Sequence, residues 1–279
     1  THYERCMTDQ NYLLDNAWRQ AAERLDAVER FLDPGTIRVL AGIGIEKGWR
    51  CLEAGAGGGS IASWLAERVG ATGSVVATDI DTRLLAARVA ANIEVRRHHI
   101  VADPLDEKAF DLVHARLLLE HLPQRDAVLA KLARALRPGG WLVIESVDYI
   151  SAIPVSEHGA REHERSQAFR LREFATSGAR TDYGRELPAL MRREGLKNVG
   201  NEGRVVVMEG GSPAATWFRL SMAQLRGRLV GADKLSDAEV DRMLELFEDP
   251  RWAALSPIIF AAWGQASNRA LANPRPIPV

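Results

Sequence analysis

The residues with chemical potential gather in a glycine-rich stretch and two acids that follow it. The stretch reads Glu53-Ala54-Gly55-Ala56-Gly57-Gly58-Gly59, directly after Arg50-Cys51-Leu52. Glycines tolerate positive φ and let backbone approach a ligand closely. Where such a stretch opens a helix, unpaired amides and the positive end of the helix dipole favour polar or anionic ligand groups. Asp79 stands 24 positions beyond Gly55, at the end of Val75-Val76-Ala77-Thr78. A carboxylate placed there accepts both hydroxyls of a ribose. Asp103, in Ile100-Val101-Ala102-Asp103-Pro104, would accept from an adenine amino group. A glycine turn, a ribose acid and a base-reading acid, in that order, describe a nucleotide-type site. Arg116, His121, Asp148 and Tyr149 come next and are the side chains with which such a site could act on a second molecule.

For these residues to meet, each must sit at the carboxyl end of a strand in one parallel sheet. The sequence has that rhythm. Strands are expected over 49–54, 74–78, 93–102, 110–115 and 141–146, with helices over 60–69, 81–91 and 127–136. Alternating strands and helices imply crossover units and helices on both sheet faces. Ahead of them, Leu14, Trp18, Ala21, Leu25, Val28 and Leu32 recur at helical spacing. Asp33-Pro34 is expected to stop that helix and start a shorter one through Ile37, Leu40 and Ala41. After the fifth strand, helices are expected over 157–174, 184–194 and 212–229, and another from the capping box at Ser236 and Glu239. A sixth strand over 199–208 and a last one over 257–263 complete the pattern.

Composition removes several classes. The 279 residues are 46% hydrophobic and 26% charged, which fits a soluble globular chain and not a rod or a disordered one. The net charge of −1 lacks the basic excess of a dedicated nucleic-acid binder. No apolar run reaches the roughly 18–20 residues of a membrane span. The first residues lack the basic-then-apolar layout of a secretory signal. Cys6 and Cys51 form no framework and no metal-type pair, so a reducing, cytoplasmic setting is expected. His158 and His163 are five apart, the wrong spacing for a zinc pair on one helix face, and read as part of a solvated helix.

Together the motifs resemble those of class I S-adenosylmethionine-dependent methyltransferases, over about residues 46–145. Glu53-x-Gly55-x-Gly57-x-Gly59, Asp79 and Asp103 are similar to the first three motifs of that family. Phe110-Asp111-Leu112-Val113-His114-Ala115-Arg116, followed by Leu119-Glu120-His121-Leu122-Pro123, is similar to the fourth. Leu136-Arg137-Pro138-Gly139-Gly140-Trp141-Leu142 is similar to the turn before its fifth strand. The resemblance implies S-adenosylmethionine as cofactor and S-adenosylhomocysteine as product. It implies that Gly55, Ala56 and Gly57 pass the methionine part, with Glu53 fixing the turn. Asp79 would hold the ribose and Ile80 would pack on adenine. Asp103 would meet the adenine amino group, flanked by Ala102 and Pro104. Ala115 and Arg116 would border the methionine amine. A nicotinamide-dependent dehydrogenase is the alternative on the same sheet, and Ser60 at the sixth place of its glycine fingerprint does not exclude it. A repurposed member that binds cofactor without transferring methyl is another.

Methyl transfer is an in-line displacement, and orientation of the kind it needs is worth roughly 7–11 kcal/mol. A general base is required only where the acceptor must lose a proton. His121 is the candidate base, and Arg116 the candidate for steering an anionic acceptor. The expected architecture is a single α/β domain over residues 1–279. It is a Rossmann-like, seven-stranded, mostly parallel sheet with helices on both faces, an antiparallel last strand and helical lid insertions. Residues 1–47 form an N-terminal helical lid, 48–150 the cofactor-binding core, and 151–279 the remaining strands with acceptor-binding helices. Tyr12, Trp18, Tyr149, Phe169 and Trp217 are expected to touch the acceptor, with Tyr3, Phe174, Phe218 and Met222 as further aromatic or soft candidates. The expected partner is a small organic molecule of secondary metabolism, with no metal, nucleic acid or membrane, acting on a monomer or homodimer.

Overall fold

The computed structural model describes residue 14 and residues 19–85, 90–231 and 234–267. Its centre is a seven-stranded sheet in the order β3-β2-β1-β4-β5-β10-β7. The strands are β1 (Arg50–Ala54), β2 (Ser74–Asp79), β3 (Ile93–Arg97), β4 (Phe110–Arg116), β5 (Leu136–Asp148), β7 (Lys197–Arg204) and β10 (Ile258–Gln265). β10 runs antiparallel to both of its neighbours, β5 and β7, and the other pairings are parallel. The strand order switches direction beside β1, with β2 on one side and β4 on the other. That is where the crevice of an open parallel sheet lies.

Seven helices surround the sheet among the described residues: α1 (Ala21–Ile43), α2 (Ser60–Val69), α3 (Arg125–Ala135), α4 (Ala160–Thr176), α5 (Leu187–Arg193), α6 (Pro213–Leu229) and α7 (Asp237–Leu246). The central strands are buried on both faces, so their residues sort by alternation. Leu52, Val113, Leu142 and Ile144 join α3 and α5 in one core. Cys51, Leu112 and Val143 join α2 and the second half of α1 in another. A third core takes Val147 of β5 and Ile259 of β10 from the sheet and is otherwise mostly helical. It forms where the first half of α1 meets α4, α6 and α7, through Val28, Leu32, Trp217, Phe218, Met243 and Phe247.

Several boundaries differ from expectation. α1 is one helix with Pro34 inside it. Proline removes an amide and crowds the preceding turn. Leu32 and Thr36 to Leu40 bring buried side chains on both sides of the break, and that packing keeps the helix continuous. β3 ends at Arg97 and not at residue 102, because its partner β2 ends at Asp79, opposite Arg97. Residues 81–85 form turns instead of the start of a helix, and 86–89 lie outside the described residues. Arg137-Pro138-Gly139-Gly140 is an irregular stretch within β5, where pairing with β4 shifts register. The stretch 199–208 divides between β7 and a short β8 (Val207–Glu209), which pairs with β9 (Ala253–Leu255) and, across it, β6 (Ile153–Pro154). This second, three-stranded sheet has strands too short to leave a periodic signal. His163 is buried against Trp252, 5.6 Å between ring centres, so α4 is not solvated on that side.

Gly140 shows how tightly β4 and β5 meet. A Cβ there would lie 2.8 Å from the Phe110 carbonyl oxygen and 3.0 Å from that of Arg137, both backbone atoms. Gly140→Ala should therefore lower stability by about 1–3 kcal/mol. Gly42→Ala, where the added methyl meets nothing, should raise it by about 0.5–1 kcal/mol. Thermal denaturation of the two variants checks both, and equal melting temperatures would refute the packing account.

Candidate active site

The turn between β1 and α2 owes its shape to three glycines in the left-handed region, with φ of 70° at Gly55, 57° at Gly57 and 86° at Gly59. The amides of Gly55 and Ala56 both donate to the Thr78 carbonyl at 2.9 Å. The Gly57 amide donates to Asp79 Oδ2 at 2.9 Å, and the Asp81 amide to Asp79 Oδ1 at 3.0 Å. The turn and the end of β2 are thus one unit, with Asp79 as its hinge pin. Burial pushes the Asp79 carboxyl above its ordinary range, and the two amides oppose that push. Each oxygen keeps a second lone pair for a ligand hydroxyl.

A cavity of about 390 Å³ opens above this unit. Glu53, Gly55, Ala56, Gly57, Asp79 and Ile80 line it. Arg116, His121, Tyr149 and Trp217 also line it, with Leu117 and Leu122. One side is a wall from the segment expected as the N-terminal lid: Arg24, Leu25, Val28 and Glu29 of α1, none of them named as a site residue from the sequence. α1 comes so near the glycine turn that a Cβ on Gly58 would meet Glu29 Oε1 at 2.3 Å. Ser60, at the start of α2, donates its hydroxyl to Asp33 Oδ1 of α1 at 3.1 Å.

The third motif acid does not line this cavity. His98, His99, Ile100 and Val101 line it instead, and Ala102, Asp103 and Pro104 do not. The cause is the early end of β3, which places the residues just after Arg97 at the crevice. Asp103 holds that segment from behind: its Oδ2 accepts from the His99 amide at 2.8 Å. This bond holds its carboxyl below the usual range. The signal that could have found His98 and His99 is the unbroken polar run from Arg96, which is poor material for a longer strand.

The remaining candidates divide. Ala115 is buried inside β4 and faces the sheet core, not the cavity. The Arg116 guanidinium is committed to α1, donating to Thr36 Oγ1 and to Asp33 Oδ1 at 2.9 Å each. His121 ends a short 3-10 turn over Leu119–His121. Burial, and secondarily the Arg24 charge, pushes its imidazole down to about 4, so it is neutral at physiological pH. Its ring lies against Phe174, which stacks on Tyr149 at 5.0 Å. Trp217 packs on Phe31 of α1 at 5.9 Å. Phe174 and Phe218 are core residues, and Phe169 packs at the edge of that core, outside the cavity. Met222 belongs to the same core. Asp148 is buried and turned away, accepting from the Ile150 amide and from Arg185. Tyr3, Tyr12 and Trp18 lie outside the described residues.

Comparison with known proteins agrees with this geometry. The family described as Methyltransferase domain matches residues 52–144, the stretch from β1 through most of β5. Methyltransferase str3 of Strobilurus tenacellus is 24% identical over 82% of this chain and 81% of its own length. The ubiquinone/menaquinone biosynthesis C-methyltransferase UbiE of Xylella fastidiosa (strain M23) is 30% identical over 47% of this chain and 57% of its own. Against that relative and several others, the chain spans about half of the relative's length. In fold, it resembles a phosphoethanolamine N-methyltransferase 2 of Haemonchus contortus, with a TM-score of 0.57, 16% identity, and coverage of 95% of this chain and 61% of that one. The matched stretch, a third of the chain, holds the glycine turn, Asp79 and the switch point of the sheet, and in sequence it is similar to the methyltransferase domain of the class I S-adenosylmethionine-dependent enzymes.

Proposed function

We propose that the protein transfers a methyl group from S-adenosylmethionine to a small organic acceptor, in the setting of secondary metabolism in the cytoplasm. The observation that carries this reading is the mixed lining of one cavity: glycine backbone and the Asp79 carboxylate share it with Leu117, Leu122, Tyr149 and Trp217. When bound, S-adenosylmethionine supplies an electrophilic methyl group whose bond to sulfur breaks as the acceptor's lone pair forms the new bond.

The chain's residues do the rest. Asp79 accepts the ribose hydroxyls, and Ile80 and His99 flank the base. α1 and α6 roof the cavity, and the apolar walls exclude water from the displacement. His121, neutral and lining the cavity, is placed to take a proton from an acceptor hydroxyl. The aromatic walls suit a small, largely apolar acceptor. The name of the Xylella relative, a ubiquinone/menaquinone biosynthesis C-methyltransferase, supports an organic acceptor. The lid role of α1, α4, α6 and α7 within a single domain belongs to the same proposal. The match of residues 52–144 to a methyltransferase domain favours this reading over the dehydrogenase alternative.

Two tests follow. Asp79→Ala removes two charge-assisted bonds, so S-adenosylhomocysteine should bind roughly 10–100-fold more weakly. Asp103→Asn keeps an acceptor for the His99 amide and should change the dissociation constant by less than about 3-fold. Calorimetry on both variants decides; equal losses would remove the ribose assignment. Incubation with methyl-labelled S-adenosylmethionine and a small-metabolite extract should place label in a small product. Intact S-adenosylhomocysteine binding with no labelled product would show a binding protein instead.

A further inference from the structure

Three ionisable side chains lie side by side on one face of three neighbouring strands. Glu53 of β1 stands opposite His114 of β4, and Glu145 of β5 flanks His114 on its other side. His114 Nδ1 is 2.7 Å from Glu53 Oε2, and His114 Nε2 is 3.6 Å from Glu145 Oε2. The imidazole is fully buried, and the two carboxylates are 3% and 1% exposed. Ionised carboxylates this deep require compensation. Glu145 has it from Arg204, at 2.5 Å, and from the Thr36 hydroxyl of α1. Arg204 also lies near Glu202, and Thr36 also receives Arg116, which pairs with Asp33. Glu53 differs. Among the described residues its carboxylate has one side-chain partner, His114. Glu53 is also the member of the three that lines the cavity.

We propose that His114 is a positioning residue: as an imidazolium donating to Glu53 and facing Glu145, it holds the Glu53 carboxylate aimed at the glycine turn, where it receives the ammonium group of the cofactor's methionine part. This rests on the cofactor reading above. A neutral imidazole has one N–H and could serve only one of the two acids, whereas the cation has a donor on each side. The two carboxylates outweigh the cost of burial and push the His114 imidazole up to about 9. Its charge is therefore present at physiological pH and is lost only as pH rises through that value. The Glu145–Thr36 contact continues the chain of bonds into α1, the helix that walls the cavity.

The test compares two ligands at pH 7.5: S-adenosylhomocysteine, which carries the ammonium group, and 5′-methylthioadenosine, which keeps the nucleoside and lacks the amino acid. His114→Gln and Glu53→Gln should each weaken S-adenosylhomocysteine about 10-fold or more. Both should leave 5′-methylthioadenosine within about 2-fold, a split that a merely structural role would not produce. Equal loss of both ligands in His114→Gln, or no loss of either, overturns the proposal. Binding of neither ligand by the parent protein fails the cofactor reading itself, and the proposal with it. Imidazole nitrogen shifts of the parent protein give a second readout that does not depend on the variants folding. His114 should be doubly protonated at pH 7.5 and titrate near 9; a neutral ring at pH 7.5 overturns the assignment.

Discussion

Carboxylates buried on the face of a central sheet dictate what must cover that face. Glu53 stands between Leu52 and Ala54 on β1, Glu145 between Ile144 and Ser146 on β5, and both are almost fully buried. Removing one partner from such a buried ionic group typically costs about 3–5 kcal/mol. His114 and Arg204 meet the charge, and Thr36 of α1 meets a remaining lone pair. Arg116 and Ser60 then bind Asp33 one turn earlier on the same helix. α1 is held against the sheet by polar contacts at its middle as well as by its apolar stripe. Its first half therefore projects over the glycine turn, with no freedom to pack elsewhere.

That placement makes the cavity. The sheet's switch point supplies the floor, from the turn after β1 and the end of β2. The first half of α1 supplies one wall, and Trp217 of α6 joins it through the third core. The strand ends bring the glycine turn and Asp79, and the helices bring Leu25, Val28 and Trp217 together with Arg24 and Glu29. Precision of orientation comes from the strands, while the helical walls exclude water.

Much of this was legible in the residues. The β1–turn–α2 unit and Asp79 carried a strong local pattern, since glycine conformations and strand ends are set by neighbours in sequence. Asp103 misled because strand length depends on the partner: β3 stops at Arg97 when β2 runs out, and His98 and His99 take the place at the crevice. Pro34 misled because burial on both sides overrides a local breaker. The α1 residues Arg24 and Glu29 were hidden for another reason. The helical spacing of their apolar neighbours Leu25, Val28 and Leu32 pointed to a helix but not to what it docks against. His114 did leave a trace, as one polar residue within the otherwise apolar run Leu112-Val113-His114-Ala115, and its meaning lay in Glu53 and Glu145 on other strands.

The central claim is that one cavity holds the cofactor by its ribose at Asp79 and presents its sulfur to the chamber beside His121, Tyr149 and Trp217. A crystal structure of the protein with S-adenosylhomocysteine bound tests this most directly. Both ribose hydroxyls should lie within hydrogen-bond distance of the Asp79 carboxylate, with the sulfur open towards those three side chains. A ribose bound away from Asp79, or a sulfur facing bulk solvent instead of that chamber, would contradict it.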